Sequence, residues 1–91
     1  MFYVVSYDIP DDNRRNAVSK TLLDFGSRVQ YSVFECIMDD DSHQELINRL
    51  AMIVIEEEDK IRVYALCAKC EGRIAVMGRG EVTKDKEVYI L

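Results

Sequence analysis

The sequence predicts an α+β domain of the ferredoxin-like βαββαβ type, in which an antiparallel sheet carries both helices on one face. Three observations lead to this fold class. Short segments rich in β-branched and aromatic residues occur at positions 2–9, 27–38 and 60–67. Stretches with apolar residues at helical spacing separate them. The length of 91 residues, without a linker, repeat or low-complexity segment, predicts a single domain over residues 1–91.

The first strand is predicted over FYVVSYDI, residues 2–9, because its side chains alternate between two faces. One face carries Tyr3, Val5, Tyr7 and Ile9, and the other carries Phe2, Val4, Ser6 and Asp8. Pro10 ends the strand, since proline has no N–H to donate to a neighbouring strand.

The first helix is expected to begin after Asp11 or Asp12, because either carboxylate can accept hydrogen bonds from the free N–H groups of the first turn. It is expected to run to about Phe25, with an apolar stripe formed by Val18, Leu22 and Phe25. Gly26 is placed to end this helix in a left-handed conformation.

SRVQYSVFECIM, residues 27–38, predicts either one long strand or two strands joined by a tight turn near residues 30–32. DDDSHQEL, residues 39–46, is expected to open a second helix. There Ser42 and Glu45 have the spacing of a capping box, in which each side chain bonds the backbone N–H of the other residue.

KIRVYALC, residues 60–67, predicts the next strand, and EVYIL at 87–91 predicts a short terminal strand that nothing left in the chain would cover. With both helices on one face, the other face of the sheet is open and carries apolar residues. We therefore expect dimerisation through this face.

The net charge of −5 is unevenly distributed, because residues 36–60 carry eight acidic and only two basic side chains. Charges are screened over about 8 Å in cells, so a local basic patch can still bind a polyanion. No apolar run approaches the roughly 20 residues of a membrane span, and the N-terminus does not resemble a signal peptide. We expect a cytoplasmic protein with no membrane partner.

Asp8 stands where a strand would otherwise place an apolar residue. A carboxylate buried alone there would be costly unless it is paired, hydrated or protonated. If two chains pack about a two-fold axis, two Asp8 carboxylates would repel each other unless a cation lies between them. Mg²⁺ suits such a site because it takes oxygen ligands and retains several waters. The alternative is that Asp8 only caps the following turn or helix.

Basic and aromatic residues suggest nucleic-acid contacts, and each also has a structural alternative. Arg14 and Arg15 either pair with the acids just before them, for less than about 1 kcal/mol each, or bind phosphate through their planar guanidinium groups. Arg28 lies on a half-exposed strand. Phe34 is favoured as a core residue over a base-stacking platform, since its segment lacks the aromatic pattern of an RNA-recognition motif.

The three cysteines predict no disulfide framework in a chain without a secretion signal. Cys67 and Cys70 have zinc-like spacing, but a structural zinc site needs four ligands and no second pair exists. We expect these two residues and Cys36 to be small buried or half-buried thiols. The acidic runs at 39–41 and 56–59 are expected to be solvated surface.

Several motifs at matching separations resemble the CRISPR-associated protein 2 family, the small dimeric partner of the CRISPR spacer integrase. They are YDI (7–9), the acids before RR (14–15), GSRVQYSVFEC (26–36), DKIRVYALCAKC (59–70) and the glycine at 78. The resemblance implies a ferredoxin-like homodimer in which the terminal strand joins the partner's sheet. It also implies that Asp8 binds a divalent metal, Mg²⁺ or another cation such as Mn²⁺, and favours phosphate contact for Arg14 and Arg15. Residues at positions associated with substrate or activity are Tyr7, Arg15, Arg28 and Phe34.

The resemblance leaves two functions open, both in CRISPR adaptation. One is a metal-dependent endonuclease that cuts single-stranded RNA or double-stranded DNA, with Asp8 as the catalytic metal ligand. The other is a dimeric scaffold that bridges two integrase dimers in a heterohexamer and grips the DNA with its arginines. A single carboxylate per chain and no obvious general base favour the scaffold. A toxin-type endoribonuclease of similar fold is a third alternative.

Overall fold

The computed structural model describes residues 1–84. Its elements are β1 (Phe2–Asp8), α1 (Asp12–Leu23), β2 (Gly26–Gln30), β3 (Val33–Ile37), α2 (Asp40–Ala51), β4 (Lys60–Leu66) and α3 (Ala68–Glu71). The strands form one sheet in the order β2-β3-β1-β4, and each neighbouring pair is antiparallel. This arrangement confirms the predicted α+β class with ferredoxin-like strand order. The predicted terminal strand at 87–91, and its addition to a partner's sheet, lie outside the described residues.

The core lies between one face of the sheet and the two long helices. Strands β1 and β3 contribute alternate residues, and α1 and α2 each contribute an apolar stripe. The buried members of this cluster are Tyr3, Val5, Tyr7, Ile9, Val18, Leu22, Phe34, Cys36, Met38, Leu46 and Leu50. The prediction that both helices pack on the same face is therefore confirmed. The short helix α3 was not predicted, and it buries none of its residues.

The segment 27–38 contains two strands, which decides between the two predicted alternatives. Strands β2 and β3 are joined by a turn at Tyr31 and Ser32. The backbone N–H of Tyr7 donates to the carbonyl oxygen of Ser32 at 3.1 Å, and the Tyr7 hydroxyl donates to the carbonyl oxygen of Tyr31 at 3.2 Å. The hairpin tip is thus fixed against the end of β1.

The ends of α1 match the prediction at one terminus only. Asp11 is the N-cap, and its carboxylate accepts a hydrogen bond from the backbone N–H of Arg14 at 2.9 Å. The helix ends at Leu23 rather than Phe25, and Gly26 does not end it in a left-handed conformation. Gly26 instead begins β2, where an added Cβ would lie 2.3 Å from the carbonyl oxygen of Glu35. Close strand packing, not a helix cap, explains this glycine.

The N-cap of α2 is Asp39, so the predicted capping box at Ser42 is wrong. The Asp39 carboxylate accepts a hydrogen bond from the backbone N–H of Ser42 at 2.8 Å. Ser42 therefore lies inside the helix as the residue whose N–H is capped. The run of three aspartates offered a cap earlier in the chain, and acidic residues also suit the first turn of a helix.

The chain itself covers part of the sheet face that was expected to be open. Glu35 lies across from Val4 in the β1–β3 register, on the face opposite the helices. Its carboxylate accepts hydrogen bonds from the Thr83 backbone N–H at 3.2 Å and from the Thr83 hydroxyl at 2.7 Å. The segment after α3 therefore returns to the sheet at β3. Among residues 1–84, no helix is long and apolar enough to cross a membrane.

Candidate functional site

Asp8 is the last residue of β1, and its side chain is exposed. Because Tyr7 faces the core, its neighbour Asp8 lies on the helix-free face of the sheet. Lys60, the first residue of β4, is its partner across the strands. Asp11 rather than Asp8 caps α1, so helix capping does not account for this carboxylate.

Asp8 does not belong to a cluster of metal-ligating side chains in the described part of the chain. Within residues 1–84 there is no group of three or more His, Cys, Asp and Glu side chains that could hold a metal ion. Mg²⁺ often takes only one or two carboxylates and keeps several waters, so a lone exposed carboxylate per chain fits one half of such a site.

Arg14 is held in an ion-pair network. Its Nε and Nη2 atoms donate to the Asp59 carboxylate at 2.9 and 3.2 Å, and Nη2 also donates to Glu58 at 2.7 Å. The hydrogen bond from this guanidinium holds the pKa of Asp59 below its ordinary value, and Asp59 in turn raises the pKa of Arg14. Arg14 thus joins the start of α1 to the loop before β4, which leaves its guanidinium little capacity for a phosphate.

The acidic run at 56–59 was predicted to be solvated surface, and this prediction is wrong at Asp59. The Asp59 side chain is 0% exposed. Besides Arg14, it accepts a hydrogen bond from the backbone N–H of Ile55 at 2.9 Å. These donors compensate the lost hydration of the carboxylate. No local pattern indicates this burial, because Arg14 and Asp59 are 45 residues apart in the chain.

Arg15 supports the loop that follows Asp8. Its Nη1 atom donates to the carbonyl oxygens of Ile9 and Pro10 at 3.0 and 3.5 Å. Nη2 pairs with Asp12, one of the two acids expected to pair with the arginines. The side chain is 41% exposed, so part of the guanidinium is accessible beside the end of β1.

Arg28 and Phe34 lie on the helix-covered side of the sheet, away from Asp8. The Phe34 ring is fully buried. The Arg28 guanidinium lies over this ring, with its Cζ atom 5.3 Å from the ring centroid, and donates to the Ser19 hydroxyl. The Tyr7 ring centroid is 6.3 Å from that of Phe34. The candidate residues therefore fall into two groups on opposite faces.

Two residues near the site were missed from the sequence. Lys60 lies directly across from Asp8, and the pairing of β1 with β4 would have been needed to foresee it. Tyr31 lies at the hairpin tip and is 89% exposed. An aromatic residue in the predicted turn region was the only available signal for it.

The expectation for the cysteines is wrong at two of the three positions. Cys36 is buried, as expected, and burial raises the pKa of its thiol to about 11. Cys67 and Cys70 are both exposed. The physical reason is their location just after β4, an edge strand, in a short helix that buries no residue.

The described elements define a small ferredoxin-like α+β protein with an acidic residue at the exposed end of its first strand. The family described as "CRISPR associated protein Cas2" matches residues 1–74, so the chain belongs to the Cas2 family. This confirms the family that the motifs predicted.

Relatives and solved structures agree with this assignment. A protein of Chloroflexus aurantiacus named CRISPR-associated endoribonuclease Cas2 3 is 44% identical over 91 residues, covering 100% of this chain and 98% of the relative. The crystal structure of Streptococcus pyogenes Cas2 at pH 6.5 has a TM-score of 0.75 and 34% identity, covering 86% of this chain and 100% of that one. A chain in a partial Cas6-RT-Cas1–Cas2 complex has a TM-score of 0.73 and 29% identity, covering 84% of this chain and 89% of that one.

Proposed function

We propose that this chain serves CRISPR spacer acquisition as a homodimeric partner of the spacer integrase, with two copies of Asp8 holding a divalent cation, Mg²⁺ or Mn²⁺. The observation that carries the proposal is the position of Asp8. It is an exposed carboxylate that ends β1 on the helix-free face, and no acidic cluster accompanies it within the described part of the chain. Two copies would supply the two carboxylates that such a cation accepts.

The scaffold role has two supports. A similar chain is part of a complex whose name includes Cas1, which suggests an integrase partner for this chain as well. The residue across from Asp8 is Lys60 rather than a second carboxylate, so one chain offers a poor set of groups for acid–base chemistry. The guanidinium groups of Arg15 and Arg28 would contact the DNA backbone in this role.

Metal-dependent cleavage of single-stranded RNA or double-stranded DNA is the second candidate, because a relative that covers the whole chain is named an endoribonuclease. In this role Asp8 would hold the cation and orient it toward a phosphodiester. The cation would stabilise negative charge on a phosphoryl oxygen. A toxin-type endoribonuclease of similar fold would use the same carboxylate but would need no integrase.

The test compares wild type with Asp8→Asn and with Asp41→Asn, an exposed acid in the first turn of α2 that matches the charge change. Analytical ultracentrifugation gives the oligomeric state, and electron paramagnetic resonance of added Mn²⁺ gives cation binding without relying on activity. We expect wild type and Asp41→Asn to bind Mn²⁺ as dimers. Asp8→Asn should remain dimeric and bind at least about tenfold more weakly, since even outer-shell changes at metal sites cost about that much.

Activity then separates the functions. Each variant is assayed for spacer integration with the integrase, and for cleavage of RNA and duplex DNA with Mg²⁺ or chelator. Integration that requires the protein, without cleavage, supports the scaffold. Cleavage that requires both Asp8 and Mg²⁺ supports the nuclease. Cleavage with no contribution to integration favours the toxin-type enzyme, and wild-type Mn²⁺ binding by Asp8→Asn refutes the metal assignment.

A further inference from the structure

The exposed thiols of Cys67 and Cys70 lie in the same backbone turn, directly after β4 ends. Cys67 is the N-cap of α3, and Cys70 lies three residues later within that helix. The Glu71 N–H closes the turn by donating to the Cys67 carbonyl oxygen at 2.9 Å. Cys67 has the extended backbone of an N-cap residue, and its thiol interacts directly with the Cys70 thiol, since each shifts the pKa of the other. A disulfide needs Cβ atoms about 3.5–4.5 Å apart, which this pair would reach by a local adjustment at the start of α3.

The thiols of Cys67 and Cys70 differ in pKa from each other and from the thiol of Cys36. Hydrogen bonding from the Cys70 backbone N–H, with help from the Cys70 thiol, lowers the pKa of Cys67. The Cys67 neighbour raises the pKa of Cys70. Cys36 is buried across from Tyr3, and its pKa of about 11 keeps it protonated at neutral pH. Cys67 is therefore the thiol best suited to attack, and Cys70 is placed to resolve the product.

Metal binding does not fit this pair within the described chain. Among residues 1–84, no third His, Cys, Asp or Glu joins Cys67 and Cys70 in a group that could hold an ion. A structural zinc site requires four ligands. A reversible disulfide between two accessible thiols needs no further side chain. Disulfide formation therefore fits the surroundings of Cys67 and Cys70 better than metal binding does.

We propose that Cys67 and Cys70 form a reversible dithiol–disulfide pair that exchanges with low-molecular-weight disulfides such as oxidised glutathione. The Cys67 thiolate attacks one sulfur of the small disulfide, forms a mixed disulfide and releases one thiolate. The Cys70 thiolate then attacks the Cys67 sulfur and releases the second. The pair is oxidised by two electrons, the small disulfide is reduced to two thiols, and the two cysteine protons pass to the released thiolates. This chemistry is independent of the cation proposed at Asp8.

The test treats the reduced, full-length protein with oxidised glutathione, stops the exchange with excess N-ethylmaleimide near pH 7, which blocks the remaining accessible thiols, and measures the intact mass and peptide map. We expect the disulfide to lower the protein mass by two hydrogen atoms, apart from any N-ethylmaleimide added at Cys36, with Cys67 and Cys70 protected from alkylation. Dithiothreitol should restore the starting mass. Cys36 should alkylate at least about tenfold more slowly than the exposed pair until the protein is unfolded.

Two single variants make the outcome decisive. Cys70→Ser should stop at a stable mixed disulfide on Cys67, because the resolving thiol is gone. Cys67→Ser should react more slowly than Cys70→Ser, because the backbone N–H of residue 70 still lowers the pKa of Cys67 in Cys70→Ser, whereas Cys70 has no such donor. The proposal is refuted if wild type accumulates only mixed disulfides, if it forms disulfides between chains on a non-reducing gel, or if Cys36 reacts as fast as the exposed pair.

Discussion

Replacing Phe34 by alanine separates a core role from a nucleic-acid role. The ring is fully buried, lies under the Arg28 guanidinium and packs near the Tyr7 ring. A buried Phe→Ala change removes about 3–5 kcal/mol of stability through lost burial and the cavity left behind. A domain of this size has a free energy of unfolding of about 5–14 kcal/mol. We therefore expect Phe34→Ala to lose at least about a fifth of it.

Urea denaturation followed by circular dichroism measures this loss, and a fluorescence assay measures RNA and DNA binding at urea concentrations where each variant is folded. Phe34→Leu is the control, and it should lose less than about 1.5 kcal/mol. Arg28→Gln should cost only about 0.5–1 kcal/mol through the lost cation–π contact. If Phe34→Ala stays within about 0.5 kcal/mol of wild type but loses nucleic-acid binding, the ring is a binding platform and its assignment to the core is refuted.

Three further predictions concern stability. Arg14→Gln should lower the free energy of unfolding, because it removes the partner of a buried carboxylate. The pKa of Asp59 lies below its ordinary value of 3.8, so the ionised carboxylate stabilises wild type above pH 3.8, and this stabilisation is lost as the pH falls below that value. Urea titrations across this range should show a steeper loss in wild type than in Arg14→Gln, because Asp39, whose pKa is also lowered, contributes to both proteins. Identical profiles would contradict the role of the pair. Gly26→Ala should lower the melting temperature, since the new Cβ would lie 2.3 Å from a backbone oxygen. Gly72→Ala is the control and should not lower it, because the nearest atom to its new Cβ is 3.6 Å away. Equal melting temperatures of the two variants would refute the close approach at Gly26. Between pH 9.0 and about 11 wild type should lose stability more steeply than Cys36→Ala, because the unfolded thiol ionises before the buried one; parallel slopes would show that burial does not shift its pKa.

Local patterns predicted the elements of the fold because each depends on neighbouring residues. The alternation in β1 and the apolar stripes of the helices are such patterns, and the structure confirms them. The predictions were wrong where the local sequence fitted two structural roles equally well. Gly26 could end a helix or permit close strand packing, and only the β2–β3 register decides between these roles. Three consecutive aspartates likewise offered several caps for α2, of which Asp39 is used.

The candidate site was harder to predict because its partners are distant in sequence. The ion pair between Arg14 and Asp59 joins α1 to the loop before β4, so neither residue alone indicated a buried carboxylate. The position of Lys60 across from Asp8 requires the β1–β4 register. Exposure of Cys67 follows from β4 being an edge strand, which is a property of the whole sheet rather than of the motif.

The two-residue period of β1 also separates the roles of the candidate residues. Tyr7 and Asp8 are adjacent, so their side chains lie on opposite faces of the sheet. Tyr7 packs near Phe34 in the core and fixes the hairpin tip through its hydroxyl. Asp8 is exposed on the other face. Substitutions at Tyr7 and Phe34 therefore act through the position of β1 and the hairpin, whereas a substitution at Asp8 removes an exposed carboxylate without disturbing the core.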